Sequence, residues 1–361
     1  SDIGYPTIML ATDSRTTDFV ADITGYNWYS NSADYSDCLS TSTATIEFWG
    51  TLYNQIYTAN AVIGTVDNET SDPTLQFYLG QALAIRAFDY FTLVQLYQFN
   101  YKGHEDAPGV PIITPENAEE AAANGCARST VKETYEFILG DLNKAIELLA
   151  NTKKTRSDKR YVSLDVAYGI RARVHLTMHN YADALKDAEA ALASTSSVPY
   201  SSAAVSKPTF IDIEDASWMW GILITDKDRV STTGICNFPS HMGSLNYGYA
   251  SVGGWRRISP KLYNQIPESD VRKGWFLDDT GVSVNLPAAA QAYITKKGAP
   301  VYTQVKYGPM NDEWGSNNNA TDVILMRVEE MYLIKAEAQA MNNDVSGGVN
   351  TLNSFVNTYR D

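Results

Sequence analysis

Aromatic side chains are the residues of this sequence best suited to bind a ligand. Tyr and Trp account for 23 and 7 of its 361 residues, and two groups of them lie in segments without helical or strand periodicity. Pyranose rings and other flat, polar ligands stack on aromatic faces, while nearby Asn, Asp or Arg side chains bind their hydroxyls. Packing within an irregular loop is the alternative explanation for each residue. The first group contains Tyr26, Trp28, Tyr29 and Tyr35, and the second contains Tyr247, Tyr249 and Trp255.

Trp28 is the strongest candidate among these residues. It lies in a segment rich in Asn, Ser and Asp, where a buried indole would also need a partner for its N–H. We therefore expect Trp28→Ala to weaken ligand binding several-fold and to leave thermal stability nearly unchanged. Trp49 is predicted to lie in a helix core, so its replacement should instead cost roughly 3 to 5 kcal/mol of stability.

Residues for catalysis or metal binding are much less evident. His175 and His179 are four residues apart on a predicted helix, but no Glu follows His175 as the hydrolytic zinc motif requires. No P-loop, G-x-G-x-x-G or G-x-S-x-G motif occurs. A glycosidase needs two carboxylates about 5 to 10 Å apart across one bond. The acidic pairs Asp278–Asp279, Asp312–Glu313 and Glu329–Glu330 are adjacent residues, which point apart, so the sequence predicts no catalytic residue, metal or cofactor.

Composition excludes several classes of protein. The net charge of −14, from 28 basic and 42 acidic residues, would repel the phosphates of DNA or RNA. A hydrophobic content of 44% with 19% charged residues excludes a disordered chain, and no apolar run approaches the roughly 18 residues of a membrane span. Three scattered cysteines, Cys38, Cys126 and Cys236, fit neither a disulfide framework nor a Cys-rich zinc site.

Helices must position these side chains. Apolar residues at helical spacing predict a helix from Trp49 to Ile63 and another over about 73–97. A third is predicted to reach Leu149 from an N-cap at Ser129 or Thr130, with Glu133 placed for a capping box.

A repeated pattern indicates how the helices are arranged. Ala82–Ala87 is echoed at Ala167–Ala172 and again at Met331–Ala336, and a second helix with small apolar residues follows each copy. Such a repeat predicts three tetratricopeptide-like helix pairs stacked into a short solenoid.

The predicted fold is mostly α, a helix-pair solenoid with an irregular, loop-rich lobe that carries short strands. Gly, Pro, Ser and Asn are frequent in the lobe, and β-rich runs occur there at 218–224 and 302–307. We expect one domain over 1–361, with an N-terminal loop segment (1–45), helical pairs (46–197), the variable lobe (198–321) and a further helix pair (322–361).

An ordered set of short motifs spans residues 49–359. In chain order they are Trp49-Gly-Thr-Leu-Tyr53 with Ala59-Asn60, Gly80-Gln-Ala-Leu83 with Arg86-Ala87 and Tyr90-Phe91, Gly109-Val-Pro111, Arg128-Ser-Thr-Val131 leading to Asp141-Leu142, Ser259-Pro-Lys-Leu262 ahead of Asp270-Val-Arg272, and Thr321-Asp322 with Arg327 and Met331-Tyr-Leu-Ile334. This ordered set resembles the SusD/RagB family.

The resemblance implies a lipoprotein of the Bacteroidetes cell surface, held at the outer membrane by an N-terminal lipid anchor and built on four tetratricopeptide-like helix pairs with a variable lobe. It implies binding of an oligosaccharide or polysaccharide, without catalysis, and delivery to a SusC-type TonB-dependent transporter. A glycan-cleaving hydrolase, and a related binder of peptides or another polymer, are the alternatives. By location it implies ligand-binding aromatics ahead of the first long helix and in the lobe; with Tyr35, the predicted set is Trp28, Tyr29, Tyr35, Tyr247, Tyr249 and Trp255.

Two features of the family are not found in the sequence. They are the lipid-bearing N-terminal Cys and the region that usually follows the helix at 353–360. We therefore expect a fragment lacking both termini, in which the fourth helix pair is unsupported.

Overall fold

A computed structural model describes residues 4–21, 28–231 and 237–361. The chain divides into two compact units. The helical unit consists of Trp49–Val198 and Met326–Asn353, and the loop-rich unit consists of Ser1–Phe48, Pro199–Leu325 and Ser354–Asp361. That both belong to one domain stays a prediction.

Helices dominate the described residues, and the strands are few and short, which confirms the mostly α prediction. The helices are α1 (Tyr5–Asp13), α2 (Ser30–Ala33), α3 (Thr43–Ile63), α4 (Pro73–Tyr97), α5 (Ala118–Asn124), α6 (Val131–Asn151), α7 (Leu164–Thr177), α8 (Tyr181–Ser194), α9 (Ser202–Val205), α10 (Phe238–Met242), α11 (Pro260–Tyr263), α12 (Ala288–Lys296), α13 (Val328–Met341) and α14 (Val345–Tyr359). The strands are β1 (Val20–Ala21), β2 (Trp218–Ile222), β3 (Arg256–Arg257) and β4 (Val323–Arg327). None of the described helices is long and apolar enough to cross a bilayer.

Two of the three copies of the repeat correspond to the predicted helix pairs, and the helix of the third copy packs on the pair before it. In the helical unit α4 packs on α6, α7 packs on α8, and α13 packs on α8. The basic residue of each repeat forms an ion pair with an acidic residue of another helix, which explains why the pattern includes Arg or Lys. These pairs are Arg86–Asp141, Arg171–Asp187 and Lys335–Glu189, with N–O distances of 2.7, 2.6 and 3.0 Å.

The predicted start of α6 is confirmed. The Thr130 hydroxyl accepts a hydrogen bond from the Glu133 N–H, and the Glu133 carboxylate accepts one from the Thr130 N–H, so the capping box is complete. Gly109 packs against this helix start, and a Cβ there would lie 2.5 Å from the Thr134 hydroxyl. The Gly-Val-Pro motif thus includes a glycine because no side chain fits at this position.

The loop-rich unit departs from the sequence expectation at two places. A nine-residue helix, α1, lies inside the segment 1–45 that was expected to be a loop, and it begins with Pro6 in its first turn. The run at 302–307 forms no strand; Thr303, Gln304 and Tyr307 make single β-bridges instead. The predicted strand near 218–224 is confirmed as β2, which pairs with β4.

Candidate functional site

A polar groove of about 570 Å³ lies in the loop-rich unit. Trp28, Tyr29, α2 and the first residues of α3 form its walls, and we call it the Trp28 groove. Most of the described residues that line it carry a hydroxyl, amide or carboxylate group, among them Asn31, Ser32, Ser36, Asp37, Thr41 and Glu47. Its volume lies in the range of small-ligand sites, and its lining offers hydrogen bonds in several directions.

Trp28 is a half-buried residue at the wall of this groove. Its ring lies 5.4 Å from the His241 ring, edge to face, and 5.5 Å from the Tyr249 ring. Among the described residues no atom accepts a hydrogen bond from the indole N–H. The acceptor for this donor therefore lies outside the described residues, because an unpaired indole N–H is unfavourable.

His241 links the two aromatic groups. This residue of α10 is 1% exposed, and its ring contacts Trp28, Tyr29 at 5.3 Å and Tyr249 at 5.2 Å, the last nearly parallel at 16°. Trp28 and Tyr249, predicted as members of separate groups, thus belong to one aromatic cluster. His241 was not among the site residues predicted from the sequence. The one sequence feature that could have indicated it is its position, as one of four histidines, a few residues before the Tyr-rich segment.

A short sheet brings the two segments together. β1 and β3 pair antiparallel, with Val20 opposite Arg257 and Ala21 opposite Arg256. The Arg256 guanidinium lies 5.1 Å from the Phe19 ring and 5.9 Å from the Tyr29 ring, and its Nε donates to the His241 carbonyl. Burial lowers the pKa of Arg256 to about 10, because the charged form is desolvated.

Tyr29 and Tyr35 flank α2 in an unusual backbone conformation. Their φ angles are +65° and +62°, in the left-handed region that non-glycine residues rarely adopt. Asp37 stabilises the segment: it is buried, accepts a hydrogen bond from Arg15 Nη2 at 3.0 Å and another from the Ser32 hydroxyl. Such strain persists only where the surroundings determine the conformation, and it is frequent at binding sites.

The other predicted site residues lie elsewhere. Tyr35 is 57% exposed with the Arg15 guanidinium 5.4 Å from its ring, and it does not line the groove. Tyr247 is 51% exposed, with Lys297 Nζ 5.5 Å from its ring. Trp255 is 6% exposed in a core cluster with Leu245, so its ring offers no open face for stacking, and our proposed site leaves it out. Tyr26 and Cys236 lie outside the described residues.

The two histidines four residues apart lie in different surroundings. His175 lies in α7 with Nε2 3.8 Å from Asp187, and burial lowers its pKa. His179 lies beyond the helix end, with φ +62°, and stacks on Tyr181. In the described part of the chain, no three His, Cys, Asp or Glu side chains are grouped to hold a metal ion.

One acidic pair has a structural explanation. Glu330 forms an ion pair with Arg173 at 2.6 Å, and Glu329, which is buried, lies 3.5 Å from Arg327. The two carboxylates thus contact different cations and do not converge on one point.

Known proteins resemble this chain over most of its length. The family model described as "SusD-like_3: Starch-binding associating with outer membrane" matches residues 5–176. The curated "SusD-like protein P2" of Formosa agariphila is 25% identical over 341 residues, which are 87% of this chain; the chain spans 61% of the length of that relative.

Solved structures agree with this similarity. A SusD-like carbohydrate binding protein from Bacteroides vulgatus is 26% identical, with a TM-score of 0.79, and the match covers 98% of this chain and 69% of that one. A structure described as "Laminarin binding SusD-like protein" shares the fold at 16% identity and a TM-score of 0.67, covering 99% of this chain and 81% of that one. Together with the ordered motifs and the packed helix pairs, these similarities confirm the predicted resemblance of this chain to the SusD/RagB family.

Proposed function

We propose that the Trp28 groove binds an oligosaccharide, or a section of a polysaccharide, without cleaving it. The observation that carries the proposal is the position of Trp28, a half-buried indole on the wall of a polar groove. No described residue accepts a hydrogen bond from its indole N–H. A sugar ring presents apolar C–H groups to an aromatic face and hydroxyls to its edge, so one residue can both stack on the ring and donate to it.

The surroundings of Trp28 support this proposal. Tyr249 and His241 lie against its ring and hold it in place, which lowers the entropic cost of binding. Asn31 and Ser36 are exposed on the same groove and can bind sugar hydroxyls. The proposed site therefore consists of Trp28 with Tyr29 and Tyr249 beside it, and Tyr35 and Tyr247 stay outside it.

The absence of catalysis is part of the proposal. Asp37, one of the two carboxylates among the described residues that line the groove, is buried and hydrogen-bonded to Arg15 and Ser32, and these bonds hold the loop. A hydrolase would need it as a free acid or base in contact with the glycosidic oxygen. We expect binding without release of new reducing ends.

The test is a panel of soluble polysaccharides in affinity gel electrophoresis, with a reducing-end assay on the same mixtures. Retardation by at least one polysaccharide, without new reducing ends, supports the proposal. Release of reducing ends by pure protein would establish the hydrolase alternative. If no polysaccharide slows the protein but a peptide library does, the alternative of a peptide binder is correct.

We further propose that the protein of which this chain is part acts at the cell surface, lipid-anchored in the outer membrane, and passes its glycan to a SusC-type TonB-dependent transporter. The resemblance to the SusD/RagB family supports this proposal, together with the "associating with outer membrane" description of the matching family model. The test is gentle purification of the full-length protein from its native membrane. Co-purification of an outer-membrane transporter is the expected result, and its absence would contradict the partnership.

A further inference from the structure

We propose that a second groove, which lies in the helical unit, binds an extended, apolar segment of a polypeptide with a carboxylate at one end. The groove has a volume of about 660 Å³. Residues of α3, of α4 and of the turn between them form its walls, together with Tyr161, and we call it the Tyr78 groove. The proposal does not depend on glycan binding at the Trp28 groove.

Helical spacing places a stripe of residues from each of the two helices on this groove. The α4 stripe consists of Leu75, Tyr78, Gln81, Ala82 and Ile85, and the α3 stripe runs from Asn54 to Val62. Steps of three and four residues keep such a stripe on one side of a helix. Leu75 and Tyr78 are 40% and 46% exposed, so apolar surface stays open to a partner.

Gln81 gives the strongest indication that a ligand binds here. It is 7% exposed, and its carboxamide has no hydrogen-bond partner among the described residues. Gln55 is half-buried on α3, lines the same groove and likewise lacks a partner in the described part of the chain. A buried amide without a partner is unfavourable, so an occupant that supplies both a donor and an acceptor is stabilised at this position.

An extended polypeptide meets this requirement, and a helix does not. A carboxamide can donate to one backbone carbonyl and accept from one backbone N–H. Both groups are free in an extended chain, whereas a helix bonds them internally. The α4 stripe from Leu75 to Ile85 is about 15 Å long at about 1.5 Å per residue, which corresponds to about five extended residues.

Charge determines which side chains the segment carries. No Asp, Glu, Lys or Arg is among the described residues that line the groove, so a charged side chain inside it would lose water without compensation. Lys154 Nζ lies beside the groove, 3.5 Å from the Tyr78 hydroxyl and 4.8 Å from the centre of its ring. Its ammonium also lies over the Phe77 ring, and among the described residues it contacts no carboxylate. A carboxylate at one end of the segment would complement this charge.

The first experiment uses an array of hexapeptides with blocked termini. Five positions carry Leu, Val, Ile, Phe, Tyr or Ala, and the first or the last position carries Glu. Members that retain the 361-residue chain are measured again in solution by titration calorimetry. We expect a subset to bind, and replacement of its Glu by Gln should weaken binding roughly two- to fivefold in low salt. If no member binds, or if Gln peptides bind as well as Glu peptides, the inference is wrong.

The second experiment uses two pairs of matched variants. Gln81→Leu keeps the groove apolar but removes the carboxamide, and it should weaken peptide binding about tenfold or more. Gln76→Leu makes the same change on α4 at a residue that does not line the groove, and affinity should stay unchanged. Tyr78→Ala should also weaken binding, whereas Tyr57→Ala, at a 74% exposed residue outside the groove, should not.

Thermal melts show whether each variant is folded. If Gln81→Leu does not fold, the pair of Tyr78→Ala and Tyr57→Ala decides the question, because both of these changes are at exposed residues. Wild-type affinity in Gln81→Leu, or equal losses in a variant and its control, would overturn the inference.

The remaining outcomes identify other occupants. Dodecanoate is the probe for a single-chain lipid, which needs no carboxamide, and binding of dodecanoate without any peptide would contradict the inference. Trp28 lies in the other unit, so Trp28→Ala should leave peptide affinity unchanged. Peptide binding that Trp28→Ala abolishes would assign the peptide to the Trp28 groove and refute this inference. Failure of the peptides to bind leaves the glycan proposal intact, and failure of the polysaccharides leaves this one intact.

Discussion

Replacement of Trp28 by Ala should weaken glycan binding and also lower stability to a measurable degree. The indole wall of the groove would be lost, which by analogy with aromatic pairs removes about 1 to 2 kcal/mol of binding free energy, or roughly 5- to 30-fold in affinity. The ring also contacts His241 and Tyr249 at 5.4 and 5.5 Å. At about 0.5 to 1.5 kcal/mol for each pair, the folded state should lose about 1 to 3 kcal/mol. The sequence-based expectation of nearly unchanged stability therefore needs correction.

Trp49→Ala is the matched control for this variant. Trp49 is half-buried rather than in the core, and it too contacts two rings, those of Tyr53 at 4.8 Å and Tyr97 at 4.9 Å. It does not line the Trp28 groove. Its replacement should therefore lower the free energy of unfolding by about 1 to 3 kcal/mol, less than for a fully buried Trp. Glycan affinity should stay unchanged.

Both variants are measured in the same two assays. Urea unfolding followed by circular dichroism gives the free energy of unfolding, and titration calorimetry with a polysaccharide from the panel gives the affinity. We expect the two variants to lose similar stability. Only Trp28→Ala should lose affinity for the polysaccharide. An unchanged affinity of Trp28→Ala, or an equal affinity loss in Trp49→Ala, would refute the assignment of Trp28 to the binding site.

Two further predictions concern the helical unit. Asp89 is fully buried in α4 with no described hydrogen-bond partner for either oxygen, and burial raises its pKa well above the usual value. The folded state then binds this proton more tightly than the unfolded state, so wild type loses stability as pH rises above about 4. Asn does not titrate, so the melting temperature of Asp89→Asn should rise relative to that of wild type from pH 4 to 8. A difference in melting temperature that does not change with pH would contradict this. Asp141→Ala leaves Arg86 buried without its carboxylate and should cost about 3 to 5 kcal/mol in urea unfolding. Asp187→Ala should cost less because its partner Arg171 is more exposed, and an equal or larger loss would be evidence against that reasoning.

The helices were predictable because their signals are local. The apolar spacing over 73–97 matches α4 (Pro73–Tyr97), and the capping box at Thr130 marks the start of α6. The family resemblance was accessible for the same reason, since its motifs mostly lie on these helices. Whether a residue lies in the core is a less local property. Trp255 lies in Gly-rich sequence, which is typical of exposed loops, yet it packs with Leu277, Ile294 and other residues distant in sequence.

The assembly of the site could not be predicted in the same way. Its two aromatic segments meet through β1 and β3, which are two residues long and carry no strand pattern. His241, which connects them, has no periodic neighbours that would indicate its burial. Trp28, Tyr29 and Tyr249 could therefore be identified as candidates from the sequence, but their proximity in the fold could not.

The pairing of β1 with β3 also bears on when Trp28 can meet His241 and Tyr249 as the chain is made. Trp28 is synthesised early, but the segment that carries His241, Tyr249 and Arg256 follows about 220 residues later. At roughly 5 to 20 residues per second, this interval is on the order of 10 to 40 s. The helix pairs of α4 with α6 and α7 with α8 join segments much closer in sequence, and local contacts form fastest. The nascent chain should thus acquire the helix pairs α4–α6 and α7–α8 before its aromatic cluster, and α13, which packs on α8, is made after both.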